Sequence, residues 1–332
     1  MAYLSMGQAT NDAMRVVMRL DQDVIVLGED IRWGGSFGQF RGLYEEFGER
    51  VIDMPISEAV IVGVSVGAAT RGLRPVASMS FVEFSMGAMD ELVNQAAKLR
   101  YMFGGQTKVP FVLRCADGTI RSAAAQHSES FEALFAHVPG LKVVAPSNAY
   151  DAKGLLLSAI ADDNPVIYLE NKRLQPTKAE VPEGLYEIPL GVAAVRREGT
   201  DVTIIAYSIQ AANAAEAADQ LAKEGISAEV IDLRTIVPLD KAAITASVRK
   251  TRRAVVCHEA WTFGGFGAEI AAELQEELFD VLAAPILRVG ARHAHIPFAP
   301  VLERAVVPGA EEIATAVRQV VRHAASGSRR PG

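Results

Sequence analysis

Glu58 is the side chain with most chemistry to offer. It closes the segment Asp53-Met54-Pro55-Ile56-Ser57-Glu58 and opens the run Ala59-Val60-Ile61-Val62-Gly63-Val64-Ser65-Val66-Gly67-Ala68-Ala69, which has almost no polar surface. A helix apolar all round is expected to be buried, and a carboxylate entering a packed interior needs a partner. The helix dipole alone also favours an acid in the first turn, so this residue by itself leaves both readings open. A second candidate is Gln126-His127-Ser128, which follows the small-residue loop Arg121-Ser122-Ala123-Ala124-Ala125. A loop between strand and helix at the carboxyl end of a parallel sheet is where ligands bind; a solvated loop histidine is the plainer alternative. Third is Ser80-Phe81-Val82-Glu83-Phe84, an aromatic wall after a strand, although Phe81 suits a core aromatic pair. Gly264-Gly265-Phe266-Gly267 lacks the Lys-Ser/Thr of a phosphate loop and reads as a tight turn into a helix from about Gly265. His293 and His295 have no third ligand nearby in sequence, which argues against a metal site.

These residues need a scaffold, and the patterning supplies one. The 332 residues are 50% hydrophobic but only 7% aromatic, a composition suited to close helix–sheet packing and long enough for two domains. A net charge of −7 argues against a general nucleic-acid surface. Cys115 and Cys257 stand far apart, so a disulfide framework and a metal-ligand spacing are both excluded and a reducing cytoplasm is expected. The first residues lack a signal-peptide pattern, and no apolar run reaches membrane-spanning length. Apolar strands are expected at 24–28, 75–79, 111–115, 142–145 and 166–170. Met89, Leu92, Val93, Ala96 and Ala97 mark one helix face, and Ser147 is placed to cap a helix from Asn148. The pattern lapses between Asn171 and Thr200, then alternates again with strands near 202–206, 228–233, 254–258 and 286–289. The expected fold is α/β with two doubly wound sheets: a first domain over 1–175, a linker over 176–200, a second domain over 201–325 and a tail over 326–332.

Taken together, Asp53 to Glu58, Phe81-Val82-Glu83-Phe84, Asn94-Gln95-Ala96-Ala97-Lys98, Gln126-His127-Ser128 and the stretch from Phe135 to Val144 resemble the β subunits of thiamin-diphosphate-dependent 2-oxo acid dehydrogenases. Asp151 to Leu156, Ile231 to Asp240 and His258-Glu259-Ala260 extend the resemblance in the same order over nearly all of residues 5–322. It implies a transketolase-type pyrimidine-binding domain followed by a transketolase C-terminal-like domain. It also implies an oxidoreductase acting on an oxo group with a disulfide acceptor: decarboxylation of a 2-oxo acid, then acyl transfer to a lipoyl-lysine on an acyltransferase core. By resemblance Glu58 bonds the pyrimidine nitrogen N1′ of thiamin diphosphate, favouring the tautomer that takes the thiazolium proton. Ile56 and Phe84 lie against that ring, and His127 donates a proton to the lipoyl dithiolane or places it. In some relatives backbone carbonyls matching Phe111, Ala159, Ile160, Asp162 and Asn164 hold potassium, although the Ala-Asp-Asp-Asn-Pro turn also fits a plain acidic turn.

The Gly-Asp-Gly segment and paired asparagines that hold Mg2+ and diphosphate in this superfamily are missing. Half of the cofactor site is therefore expected from an α chain, in an α2β2 assembly. Pyruvate is the first substrate expected; branched-chain 2-oxo acids and acetoin stay open, because Phe84-Ser85-Met86-Gly87-Ala88-Met89 departs from the pattern of many relatives. A non-catalytic scaffold subunit would be marked by loss of Glu58 or His127, and both are present. A ferredoxin-linked oxidoreductase would need iron–sulfur ligands that two scattered cysteines do not provide.

Overall fold

Strands apolar on both faces can be covered only by helices on each side, and that requirement shapes both halves of the chain. The computed structural model describes residues 1–327. The chain divides into one unit of Met1–Gly118, Leu134–Leu190 and Ile236–Pro238, and another of Thr119–Ala133, Gly191–Thr235 and the residues from Leu239 onward. Residues 328–332, most of the expected tail, lie outside the described residues.

The first unit begins with β1 (Ala2–Ser5) and α1 (Met6–Leu20), where Ser5 and Gln8 form a reciprocal capping box. There follow β2 (Val24–Gly28), the short α2 (Leu43–Phe47), β3 (Val51–Asp53), α3 (Glu58–Thr70) and β4 (Arg74–Met79). A 3-10 stretch covers Val82–Ala88, and the region 89–97, expected as one helix, holds a π-helical turn over Glu91–Ala96 that runs into α4 (Ala97–Met102). After β5 (Val112–Asp117) come α5 (Glu132–Ala136), β6 (Lys142–Val144), α6 (Ala149–Ala161), β7 (Val166–Asn171) and β8 (Lys178–Val181). Asn148, not Ser147, caps α6, accepting the Asp151 amide at 2.9 Å. The seven-stranded sheet runs in the order β12-β6-β7-β5-β4-β2-β3, with β12 (Thr235–Val237) at one edge. At its centre Arg114 on β5 pairs bidentately with Glu170 on β7, at 3.0 and 2.9 Å, both side chains buried. Such a pair desolvates both charges together, so neither is left uncompensated.

The expectation that α3 is enclosed all round holds for one face only. Ile61, Val62, Ser65, Val66 and Ala69 pack inward, whereas Val60 and Val64 are 45% and 46% exposed and Gly67 is exposed. The apolar residues continue round the helix because its outer face is as oily as its inner one.

The second unit holds β9 (Ala194–Arg197), β10 (Val202–Ala206), α7 (Ser208–Ala222), β11 (Ala228–Asp232) and α8 (Lys241–Thr251). It continues with β13 (Ala254–Trp261), α9 (Gly267–Leu278), β14 (Leu287–Ala291), α10 (Pro300–Val306) and α11 (Ala310–Gly327). Its five strands lie in the order β14-β13-β10-β11-β9, parallel except for β9. Small Ala side chains of α7 let that helix press onto β10 and β11. The 176–200 stretch is not structureless: β8 pairs with β1 and β9 with β11.

Candidate active site

In the first unit β2 lies between β3 and β4, all parallel. The winding of the sheet reverses at β2, and the crevice outside the carboxyl ends there is the usual ligand position. Three chain segments leave the sheet at that point: Glu29 after β2, residues 54–58 after β3 and Ser80 to Phe84 after β4. Glu58 is the first residue of α3 and half-buried. Among the described residues none donates a hydrogen bond or ion pair to its carboxylate. Ile56 is 83% exposed. Phe84 makes an edge contact with Phe81 at 5.4 Å, and Phe81 in turn meets Phe37 at 5.6 Å and Lys172 Nζ at 5.2 Å. Phe81 is thus an aromatic packing residue, with Phe84 against its edge. Gly87 leaves room beside the acid, since a Cβ there would stand 3.3 Å from Glu58 Oε2.

The electrostatics of this crevice are acidic. Burial pushes the Glu29 carboxyl above its usual range, and the nearby charges of Glu58 and Asp30 push it further the same way. A hydrogen-bond donor presented to Glu58 would meet an acid at the start of a helix, next to Gly87 and within reach of the Glu29 charge.

His127 belongs to the segment Thr119–Ala133, which groups with the second unit. It ends a short 3-10 turn over Ala125–His127 and is half-buried. Two non-glycine residues just before it have left-handed backbones, Ser122 at φ +61° and Ala124 at φ +59°. Such conformations cost about 1–3 kcal/mol each and persist where surrounding contacts hold them. The Ser122 amide donates to Glu303 at 2.9 Å, and the Thr119 amide donates to Glu259 at 3.1 Å.

The residues named for potassium are close together in the first unit, round the end of α6. Ile160 and Asp162 carbonyls accept from Arg74 Nη1 at 2.9 and 3.2 Å, and the Phe111 carbonyl accepts the Val166 amide at 2.8 Å. Asn164 bonds the Asp162 carboxylate through its amide and Nδ2, and its Oδ1 accepts from Arg100. Ala159 is buried in the last turn of the helix. Asp163, beside them, is held below the usual carboxylate range by its bond to Lys108, with burial opposing and Arg74 assisting. Among the described residues there is no cluster of three or more His, Cys, Asp or Glu suited to a metal ion. His293 packs against Phe263 and Trp261, and both cysteines are free and buried.

Sequence reasoning missed Glu29, Gly87, Glu259, Tyr207 and Glu303. Glu29 had a weak signal, as the acid directly after an apolar strand; the others show only in three dimensions.

Residues 2–178 match the family model described as transketolase, pyrimidine binding domain, and residues 191–313 match transketolase, C-terminal domain. The chain is 45% identical over 332 residues to the β subunit of acetoin:2,6-dichlorophenolindophenol oxidoreductase of Bacillus subtilis (strain 168), covering 96% of this chain and 97% of that one. It is 47% identical over 319 residues to the pyruvate dehydrogenase E1 component subunit β of Rickettsia felis, covering 96% and 98%. Among solved structures it resembles a split-gene transketolase, described as an inactive β4 tetramer, with a TM-score of 0.79 and 25% identity over 97% of this chain and 99% of the other. No helix among the described residues is long and apolar enough to cross a membrane.

Proposed function

The chain belongs to the transketolase-like family that includes the β subunits of 2-oxo acid dehydrogenase E1 components, and from that premise we propose that it is the catalytic β subunit of such a component, with pyruvate as first substrate. The observation that carries this reading is Glu58: a half-buried acid opening an apolar helix at the sheet's switch point, on the same sheet end as the segments that carry Ile56 and Phe84. The donor set fits a flat, nitrogen-bearing ring. An acid accepts from a ring nitrogen, apolar and aromatic side chains cover the ring face, and Gly87 keeps the approach open. When bound, thiamin diphosphate supplies the carbon nucleophile and the electron sink for decarboxylation.

The work of this chain's own residues follows. Glu58 accepts a hydrogen bond at the ring nitrogen and so biases its tautomer, with an effect magnified by exclusion of water. Ile56 and Phe84 exclude that water and fix the ring plane. His127 donates a proton to a lipoyl dithiolane or orients it, help typically worth about 10²- to 10⁴-fold. Mg2+ and the diphosphate fall to an α subunit, which we place against the exposed apolar face of α3 in an α2β2 assembly, with a lipoyl acyltransferase core as acceptor. Potassium at the carbonyls of Phe111, Ala159, Ile160, Asp162 and Asn164 would share the Ile160 and Asp162 oxygens with Arg74, so it belongs to this reading as a minor element. Acetoin is the second substrate reading, and the 45% identity to the acetoin-enzyme β subunit favours it over branched-chain acids.

Glu58→Gln, assembled with its α partner, tests the reading. Decarboxylation coupled to an artificial electron acceptor should fall about 100-fold or more while assembly is retained. Near-wild-type turnover would remove Glu58 from the chemistry. Pyruvate, acetoin and 2-oxoisovalerate offered to the same complex decide the substrate.

A further inference from the structure

The second unit has a ligand crevice of its own, and the chain has filled it. In the order β14-β13-β10-β11-β9 the winding reverses at β10, between β13 and β11, and the position outside the carboxyl ends of β10 and β13 is where doubly wound sheets hold ligands. Tyr207, directly after β10, and Glu259, on β13, stand there, both buried. Neither side chain is turned to a solvent-filled cleft. Glu259 Oε1 accepts from the Thr119 amide at 3.1 Å and from Thr119 Oγ1 at 2.5 Å. Tyr207 Oη donates to Glu132 Oε1 at 2.6 Å. Phe131 packs near Trp261, ring centroids 6.5 Å apart. The space left among Thr119, Ser128, Glu259 and Trp261 is a cavity of about 10 Å³, room for one water and no more.

Thr119 and Glu132 bracket His127, thirteen positions apart in a segment with two left-handed non-glycine residues. A short loop with such backbone angles needs external restraint at both ends. Glu259 restrains the start and Tyr207 the end, while Glu303 holds the Ser122 amide between them. Burial raises the Glu132 carboxyl above its usual range, opposed by the Tyr207 hydrogen bond and assisted by Glu259, so the two ties are electrostatically linked. We propose that Glu259 and Tyr207 are positioning residues for His127: the second unit's switch-point crevice serves as a clamp on the loop that carries the acyl-transfer histidine. This rests on the acyl-transfer role given to His127 above.

The test compares Tyr207→Phe, Thr119→Val and Thr119→Ser in the complex assembled with the α partner. Two rates are measured: reductive acylation of a free lipoyl domain, and decarboxylation coupled to an artificial acceptor. The hydroxyl-deleting variants should lower kcat for lipoyl acylation about tenfold or more, with KM for the lipoyl domain within about twofold and a clearly smaller loss in the acceptor-coupled rate. Thr119→Ser, which keeps the hydroxyl, should restore acylation. Hydrogen exchange across residues 119–133 should accelerate in Tyr207→Phe while α9 exchanges as before. Parallel loss of both rates, no loss in either, or unchanged exchange in the loop overturns the clamp. His127→Ala run alongside separates the two ideas. If it leaves lipoyl acylation intact, the role of His127 fails, whereas the exchange measurement still reports on the ties.

Discussion

The imidazole of His258 lies wholly inside the second unit, with Nδ1 3.0 Å from the Ala260 carbonyl and Nε2 without a hydrogen-bond partner. Burial pushes its pKa down to about 4, with the Ala260 bond opposing and Arg288 assisting. Three glycines exist to fit this ring: a Cβ at Gly265, Gly267 or Gly290 would approach it to 2.6–2.7 Å. The ring is neutral in the folded chain, and its pKa lies below the ordinary value of 6.5. Its contribution to stability is therefore complete above pH 6.5 and is lost as pH falls toward 4, amounting to about 2 kcal/mol by pH 5. The Tm of the wild-type complex should drop between pH 6.5 and 5. His258→Gln should start lower at neutral pH but lose clearly less over that interval. An equal drop in both proteins would mean that other groups govern the acid side.

At the scale of elements, α3 carries the proposed ring-binding acid as its first residue and leaves an apolar outer face exposed. Gly67, in the last turn of the helix, has no neighbour within 4 Å of the position its Cβ would take. A glycine within a helix costs about 0.5–1 kcal/mol relative to alanine, and no neighbouring side chain in the structure requires one here. The proposed α-subunit interface supplies a reason: close approach of a partner helix. Gly67→Leu should therefore fold with a Tm equal to or above wild type, yet fail to form the α2β2 species on size-exclusion chromatography with the α chain. Normal assembly would move the interface off this face. The same helix shows what was legible in the sequence. Glu58, Ile56 and Phe84 fall within thirty residues, and the alternation of apolar strands with helices placed them on one sheet end. The ties from Glu259 to Thr119 and from Tyr207 to Glu132 span 140 and 75 residues, and no local pattern announces such pairings. Gly265 and Gly267 read as turn glycines because periodicity cannot reveal that a histidine ring presses on them. The region 89–97 read as an ordinary helix because a π-helical turn keeps nearly the same apolar spacing.

For the whole molecule, the decisive matter is how much of the cofactor it can hold alone. The crevice at the end of β2 is acidic: burial pushes the Glu29 carboxyl upward, and the nearby charges of Glu58 and Asp30 push it further the same way. Such a field suits a ring nitrogen that donates a hydrogen bond and opposes a diphosphate. No cluster of three acids, histidines or cysteines suited to a metal ion occurs among the described residues to reverse that sign, and the Gly-Asp-Gly segment that would do so is missing from the sequence. On the proposed reading, ring contacts from Glu58, Ile56 and Phe84 would act without the diphosphate contacts that carry most of the charge. In isothermal titration calorimetry the full chain, first shown to melt cooperatively by itself, should bind thiamin diphosphate with a Kd weaker than about 100 µM, about −5.5 kcal/mol or less. Adding the α chain with Mg2+ should bring stoichiometric, much tighter binding, because the second polypeptide supplies the cation and a complementary charge. Glu58→Gln should weaken binding in the assembled complex far less than removal of Mg2+, since the ring end contributes orientation and the diphosphate end contributes affinity. Tight one-to-one binding by the isolated chain would place both ends of the cofactor on this polypeptide, and the shared site would have to be abandoned.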